Sequence, residues 1–283
     1  MAFLDDNYLI TNETGKRIFN AVKDLPVIDP HNHADVKEIA DNNCYSNAWQ
    51  LFAATDHYVW ELLRKRGVPE ELITGKADPR SKFLAMAKVF PETAGNPLYE
   101  WIHLDLRRYF GIDLLLNEEN GPKIWEEVNA KLATDAFRPQ ALLTGPLNVE
   151  AMSSTDDLID TLENHDRANK ALGRTLIRPT WRPAKAMKIF APGWRDYIVQ
   201  VEKRFDMKIE TLSDLLDATK KSHDFFAEHG CRASDHGIEY PVRADYRFED
   251  ADAAFRKALS GKELTVTLDG VTKKITLPDY RKA

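Results

Sequence analysis

The sequence has few cysteines, no long apolar run and no excess of positive charge, and each absence argues against a class of protein. Its 283 residues include only two cysteines, Cys44 and Cys231, which lie far apart, so we expect no disulfide framework. It contains no run of 18 apolar residues that would span a membrane as a helix. Positive charge is not in excess, because the formal net charge is -6. This charge argues against non-specific binding to nucleic acid, which requires a basic surface.

The start of the chain is unlike a secretory signal peptide. Residues 1–16 carry Asp5, Asp6 and Glu13 and no long apolar stretch. We therefore expect a cytoplasmic protein without a membrane partner. Hydrophobic residues make up 43% of the sequence, which is enough for a sizeable core. We expect a single domain over residues 1–283.

The hydrophobic pattern alternates between helices and strands. It predicts an amphipathic helix over 11–24, with Thr11 or Asn12 as N-cap, and a mostly helical region over 36–143. Strand-like runs are predicted at four places: 25–33, 148–155, 175–181 and, more weakly, 230–236. Further helices are predicted between and after them, at about 155–172, 192–205 and 212–229. Strands that alternate with helices predict βαβ units and a parallel sheet.

The strand-like runs end in residues that can carry chemistry. These are His31 and His33, Thr155 to Asp157, Arg182, and Asp235 with His236. Polar groups at the C-terminal ends of successive strands are typical of the active face of a (β/α) barrel. Only four core strands are predicted, however. Residues 240–283 instead predict a helix near 251–259 and a polar hairpin around Asp269-Gly270, which is typical of a peripheral insertion.

His31 and His33 follow an apolar strand that we predict to be buried on both faces. Residues two apart on a strand point to the same side, so both imidazoles can reach one ion. Neutral imidazole suits zinc and similar divalent metals. Asp29 lies on the same side and can orient a ligand. His-x-His also occurs by chance, so the pair alone leaves a metal site and an ordinary pair of histidines both open.

The segment Thr55-Asp-His-Tyr-Val-Trp60 has a structural and a functional interpretation. Thr55 or Asp56 is typical of a helix N-cap, and Trp60 is typical of a core residue. That interpretation does not need His57 or Tyr58. Both are available for proton transfer or for a hydrogen bond to a substrate.

Two later strand ends also have two interpretations. Arg182 can hold a carboxylate through two parallel hydrogen bonds, or it can form a surface ion pair. Asp235 and His236 can bind metal or substrate, or form a buried structural pair. We place all three among the candidate substrate-binding residues.

The other histidines are expected to be structural. His103 lies in an apolar stretch with helical spacing, and we predict that it belongs to a helix core. We expect His165, His223 and His229 at solvated or helix-capping positions.

Six segments together resemble one known family. They are 25–33 (LPVIDPHNH), 54–60 (ATDHYVW), 95–105 (GNPLYEWIHLD), 154–157 (STDD), 179–183 (PTWRP) and 229–237 (HGCRASDHG). In order and spacing this set resembles the uronate isomerases (glucuronate isomerase), a branch of the amidohydrolase superfamily with a distorted (β/α)8 TIM-type barrel. The resemblance implies an aldose–ketose isomerase of sugar acids, acting through an ene-diolate. Its reactions would convert D-glucuronate to D-fructuronate and D-galacturonate to D-tagaturonate.

The resemblance also implies a role for each matched residue. His31 and His33 would hold a divalent metal, which we expect to be zinc. His57 and Tyr58 would contact the substrate and catalyse the reaction, Tyr58 with a role in proton transfer. Arg182 would clamp the polar groups of the sugar acid.

The resemblance further implies that this chain is an N-terminal portion. We expect an α/β fold: the N-terminal half of the barrel, with a large helical insertion over 36–143 after the first strand. The remaining strands, and the aspartate that completes the family's metal site, would lie in a C-terminal half absent from this sequence. We expect a homo-oligomer or a pairing with that missing half.

Three hypotheses about function follow. The chain is a uronate isomerase, alone or as a subunit of a split enzyme; it is a metal-dependent hydrolase of the amidohydrolase type; or it is a non-enzymatic remnant or assembly partner. The Thr-Asp-His-Tyr and Thr-Trp-Arg-Pro segments favour the isomerase.

Overall fold

The structure is a computed structural model that describes residues 4, 5, 7–174, 176–237 and 247–261, and the backbone of 264–268 and 271–275. Its contacts divide the chain into two compact units. One comprises Met1–Ile28 and Asp41–Glu150, and the other comprises Asp29–Ala40 and Ala151–Ala283. The single-domain organisation of 1–283 stays a prediction. None of the helices in the described part of the chain has the length and apolar character that crossing a bilayer requires.

The helices largely follow the sequence pattern. In chain order they are α1 (Glu13–Val22), α2 (Val36–Asp41), α3 (Ala48–Phe52), α4 (His57–Lys65), α5 (Pro79–Val89), α6 (Pro97–Arg108), α7 (Gly121–Leu132), α8 (Pro139–Thr144), α9 (Glu163–Leu172), α10 (Ala184–Met187), α11 (Trp194–Phe205), α12 (Leu212–Glu228) and α13 (Phe248–Leu259). Short 3₁₀ turns lie at Glu70–Leu72, Phe90–Thr93 and Asp135–Phe137. The helical region predicted over 36–143 is confirmed.

Local signals in the sequence account for several helix starts. Asn12 caps α1 by accepting a hydrogen bond from the backbone N of Gly15 at 2.8 Å, as predicted. Thr211 and Asp214 form a reciprocal capping box at the start of α12. The helix predicted from residue 155 was placed too early, since α9 begins at Glu163. Asp156 and Asp157 are instead held in a short strand by parallel pairing.

The strands are shorter than predicted. They are β1 (Val27–Asp29), β2 (Val149–Ser153), β3 (Asp156–Asp157), β4 (Ile177–Arg178), β5 (Trp181–Arg182), β6 (Leu264–Leu268) and β7 (Val271–Ile275). One sheet has the order β1-β2-β4, in which β2 and β4 are parallel, and β3 pairs in parallel with β5. The predicted hairpin is formed by β6 and β7, while its turn at Asp269-Gly270 lies outside the described residues.

Two strand predictions need correction. The run at 175–181 forms two short strands, β4 and β5, and residues 230–236 contribute only a single bridge from Ser234 to Trp181. The segment 230–236 is only weakly apolar, so it has little side-chain surface to gain from lying in a sheet.

The first unit has a helical core in which α3, α5, α6 and α7 pack together. Phe83 and Met86 are fully buried, and the Phe83 ring centroid lies 5.3 Å from that of Trp125. A Cβ atom at Gly121 would lie 2.8 Å from the Cβ of Ala87, so glycine permits this close approach of α7 to α5. His103 is buried in α6, as predicted, with Nδ1 2.6 Å from the carbonyl oxygen of Tyr99.

The second unit packs α11, α12 and α13 beside the parallel strands. Trp194 on α11 makes an edge contact with Phe255 on α13, with ring centroids 5.5 Å apart. Trp181 Nε1 donates to Ser222 Oγ at 2.9 Å, and Ser222 Oγ donates to the Leu158 carbonyl at 2.6 Å. These bonds attach β5 to α12 and fix the position from which Arg182 extends.

The first strand is exposed, and the prediction that it is buried on both faces was wrong. Leu25 and Ile28 are 60% and 71% exposed. Helix α1 has no buried residue, although Ile18 and Val22 are apolar and one turn apart. Apolar runs like 25–28 are typical of strands covered on both faces, and the described residues cover neither face of β1.

Candidate functional site

His31 and His33 lie in the loop that follows β1, and their side chains converge. Nε2 of His31 is 3.2 Å from Nε2 of His33, with the ring planes at 80°. The loop is held by a bond from Asn32 N to the Ser153 carbonyl at 3.0 Å. Asp29 accepts a bond from the backbone N of His31 at 3.2 Å. Asp29 therefore supports the loop backbone. Within the described part of the chain, it forms no hydrogen bond with either imidazole ring.

The two imidazoles fit a shared metal ion. Two nitrogens bound to one tetrahedral zinc at about 2.0–2.1 Å lie about 3.3 Å apart. The Nε2 atoms of His31 and His33 match this separation at 3.2 Å. Within the described ranges, no cluster of three or more His, Cys, Asp or Glu side chains is placed to hold a metal. In this part of the chain the pair therefore offers two nitrogen donors at a spacing that suits one ion.

A buried polar network lies beside this loop. Ser154 Oγ donates to Asp156 Oδ2 at 2.7 Å and lies 2.8 Å from Nε2 of His165. The backbone N of Thr180 donates to the same Asp156 oxygen at 3.0 Å. The expectation of a solvated or capping His165 was wrong, because its side chain is only 4% exposed. Its position in α9 faces the ends of β2 and β3, which the local sequence did not indicate.

Arg182 and Asp235 are brought together. Arg182 Nε lies 3.1 Å from Asp235 Oδ2, and the backbone N of Asp235 donates to the Trp181 carbonyl at 3.0 Å. A Cβ atom at position 237 would lie 2.9 Å from Arg182 Nη2, so Gly237 allows the chain to pass against the guanidinium. His236 is exposed, and its ring centroid is 6.4 Å from that of Trp181.

Asp157 lies opposite Arg182 in the pairing of β3 with β5. It accepts a bond from the Tyr197 hydroxyl at 2.5 Å and forms an ion pair with Lys185 Nζ at 3.0 Å. Burial, reinforced by the neighbouring Asp157 carboxylate, raises the pKa of Tyr197 well above its usual range. Tyr197 therefore stays protonated and holds Asp157 in place.

His57 and Tyr58 are the first two residues of α4. The Asp56 side chain caps this helix by accepting from the backbone N of Tyr58 at 2.8 Å, which confirms the predicted cap. The two rings lie 4.2 Å apart, and Tyr58 is 65% exposed. Trp60 instead packs against the core of the first unit. His57 and Tyr58 belong to the first unit, whereas the two metal-ligand candidates and Arg182 belong to the second.

The sequence predicts that His31 and His33 converge, but it does not indicate that Asp235 meets Arg182, or which residues hold these groups in place. Thr155 was noted only as a polar strand end, yet its hydroxyl lies 3.2 Å from Nδ1 of His33. Asp157 was noted in the same way, and Tyr197 and Lys185 were not singled out. The one local signal for this group was the run Ser154-Thr-Asp-Asp157 at the end of a strand.

Comparisons with known proteins identify the family of this chain. A sequence profile of the glucuronate isomerase family matches residues 1–276. The uronate isomerase of Thermotoga maritima is 47% identical over 263 residues, which cover 93% of this chain and 58% of that protein. This chain thus spans little more than half of the relative's length.

Solved structures share the same fold. The crystal structure of the uronate isomerase from Thermotoga maritima superposes with a TM-score of 0.90 at 46% identity, covering 95% of this chain and 59% of that one. The crystal structure of glucuronate isomerase from Caulobacter crescentus gives a TM-score of 0.85 at 25% identity, covering 91% and 56%. The α/β fold expected from the sequence is confirmed, and this chain belongs to the glucuronate isomerase family.

Proposed function

We propose that this chain is the N-terminal portion of a metal-dependent uronate isomerase. Its reactions would convert D-glucuronate to D-fructuronate and D-galacturonate to D-tagaturonate. The observation that carries the proposal is the pair of Nε2 atoms of His31 and His33, 3.2 Å apart, in a chain of this family. As a cytoplasmic enzyme of sugar-acid breakdown, it would act as a homo-oligomer or together with a C-terminal half.

His31 and His33 would hold the divalent metal, which we expect to be zinc. When bound, the metal would supply positive charge that stabilises the oxyanion developing on the substrate. The chain's contribution is to present both imidazoles on a loop braced by Asp29 and by the Ser153 carbonyl. Little reorganisation of the loop is then needed to receive the ion.

Arg182 would bind the acid substrate. Its guanidinium is fixed from one side by Asp235, yet a third of the side chain remains exposed. Asp235 holds the guanidinium through an ion pair, so its N–H groups are available for a carboxylate or hydroxyl of the sugar. His236, exposed next to Asp235, would contribute a further polar contact.

His57 and Tyr58 would contact the substrate, with Tyr58 taking part in proton transfer. Isomerisation removes the C2 proton and adds a proton at C1, while a hydroxyl proton moves from O2 to O1. No oxidant or reductant is consumed. An exposed phenol with its ring 4.2 Å from an imidazole ring is chemically suited to exchange a proton with a substrate oxygen.

The exposed surface of α1 and β1 supports the split or truncated form of the enzyme. Ile18, Val22, Leu25 and Ile28 are apolar and exposed in this chain. We propose that the chain forms the first half of a distorted (β/α)8 barrel and that a C-terminal half covers this surface. In the same proposal, 36–143 is a helical insertion and 240–283 a peripheral one.

Assays of uronate turnover test the proposal. The chain is incubated with zinc and D-glucuronate, with and without a polypeptide corresponding to the C-terminal part of its relatives. We expect D-fructuronate to form when both parts are present. Failure of the reconstituted pair to isomerise either uronate would overturn the proposal. Turnover of a lactone or ester panel without isomerisation would instead favour the hydrolase hypothesis.

A further inference from the structure

The two ring nitrogens of His33 have different neighbours. Nε2 lies 3.2 Å from Nε2 of His31, and Nδ1 lies 3.2 Å from the hydroxyl oxygen of Thr155. An imidazole that binds a metal uses one nitrogen, and its other nitrogen, which carries the proton, donates to an oxygen acceptor. Thr155 Oγ1 occupies the acceptor position for a ring that ligates through Nε2.

Strand geometry aims Thr155 at this position. The backbone N of Ser154 donates to the Arg178 carbonyl at 3.1 Å, and that of Asp156 donates to the Thr180 carbonyl at 3.0 Å. The side chains of Ser154 and Asp156 are buried on one side of this segment. Successive residues of an extended chain point to opposite sides, so Thr155 points away from the buried side and toward His33.

The buried network keeps this segment in place. Ser154, Asp156, His165 and Thr180 are all buried, and they connect the segment to α9 and to the end of β4. Turning the backbone at Thr155 would break hydrogen bonds among these buried groups, which is costly. The buried side of the segment therefore fixes the Cβ atom of Thr155 on the side of His33.

From this geometry we infer that Thr155 is a positioning residue for the metal site, an inference that rests on the proposed metal-dependent function. Its hydroxyl accepts a bond from Nδ1–H of His33 and so favours the tautomer in which Nε2 is free to bind the ion. The opposite tautomer, protonated at Nε2, cannot ligate through that atom. Loss of such a partner typically weakens metal binding by about 10–100-fold.

Calorimetric titration with Zn²⁺ tests the inference on the whole chain. The variants are Thr155→Val, which removes the hydroxyl at nearly constant volume, and Thr155→Ser, which keeps it. Thr219→Val is the matched control, since the Thr219 hydroxyl donates to the Leu216 carbonyl within its own helix. We expect Thr155→Val to weaken Zn²⁺ binding about tenfold or more. Thr155→Ser and Thr219→Val should bind like the wild type.

Equal affinities of the Val and Ser variants for Zn²⁺ would overturn the inference. A second measurement needs no variant: the ¹⁵N NMR shifts of His33 in the zinc-loaded wild-type chain. We expect a protonated Nδ1 and a metal-bound Nε2, and ligation through Nδ1 would also overturn the inference. If the wild type binds no Zn²⁺, alone or with the C-terminal part, the proposed metal site itself is wrong. That result is distinct from Zn²⁺ binding with equal affinity by the Val and Ser variants, which would overturn only the role of Thr155.

Discussion

Arg182 Nε lies 3.1 Å from Asp235 Oδ2 and so joins the end of β5 to the segment that follows α12. Both residues were predicted to bind substrate from separate strand ends, and the structure makes them one unit. The side chain of Asp235 is 22% exposed and that of Arg182 is 33% exposed. The carboxylate therefore orients the guanidinium and leaves part of it open to a second, anionic partner.

Replacing Arg182 with lysine should impair substrate binding more than folding. Lysine keeps the charge but cannot bind Asp235 and a substrate carboxylate through one planar group. In the reconstituted enzyme we expect KM for D-glucuronate to rise about tenfold, as loss of about 1.4 kcal/mol of binding would produce. Steady-state kinetics measure this effect. The control is Arg247→Lys, which alters an exposed arginine–aspartate pair with Asp250; an equal rise in KM there would contradict the assignment.

Replacing Ile28 with lysine should prevent association with the C-terminal part without destabilising this chain. Ile28 is 71% exposed, so we expect the free energy of unfolding of this chain to change by less than about 0.5 kcal/mol. Association with the C-terminal part should be lost, because a charge would be placed in the proposed interface. Urea denaturation and co-elution in gel filtration measure the two effects. Leu216→Lys, at another exposed apolar residue, should leave association intact; a large loss of stability in Ile28→Lys would mean that β1 is covered.

Replacing Ser154 with alanine should destabilise the second unit. Its hydroxyl bonds Asp156 and lies beside His165, and the three side chains are buried. Removing it takes away the hydrogen-bond partner of the buried His165 Nε2 and one of the two donors to Asp156 Oδ2, which costs about 1–3 kcal/mol. Urea unfolding measures the loss. Ser213→Ala, at an exposed serine near the start of α12, should change the free energy of unfolding little, and equal effects would show that the network adds no stability.

Replacing Asp105 with asparagine should change how stability depends on pH. Burial in α6 raises the pKa of Asp105 to about 6, although Arg108 opposes the shift. As pH falls, the folded state therefore binds a proton at this carboxyl before the unfolded state does. The carboxyl favours folding below about pH 4, and this stabilisation is lost as pH rises through about 6. We expect Asp105→Asn to raise the free energy of unfolding at pH 7 by about 1–2 kcal/mol, below the full value of the pKa difference because the group is only partly buried.

Chemical denaturation of both proteins from pH 4 to pH 7.5 measures this difference. Burial lowers the pKa of His103, so this residue favours folding at higher pH. His103 is present in both proteins, so its effect on stability cancels when Asp105→Asn is compared with the wild type. Asp217→Asn, at an exposed carboxylate on α12, serves as the control and should keep the wild-type pH dependence. A constant difference between Asp105→Asn and the wild type over this range would contradict the prediction.

Much of the fold was predictable because its signals are local. The cap at Asn12, the cap at Asp56 and the helical spacing over 36–143 depend on neighbours within a few residues, and the structure confirms them. The strand boundaries were less predictable. The strand predicted over 175–181 is interrupted between β4 and β5, because β4 pairs with β2 and β5 pairs with β3.

Three features were readable from the sequence alone: two histidines after an apolar strand, an arginine at another strand end, and the family that the six segments resemble. Tertiary structure decided which groups meet. Thr155 contacts His33 across 122 positions, and Asp235 contacts Arg182 although three helices, α10 to α12, separate them in the chain. It also decided that His165 is buried and that β1 is exposed. A hydrophobic pattern predicts which face of a segment can be buried. Whether that face is buried depends on a second segment that packs against it, and the local sequence does not identify that segment.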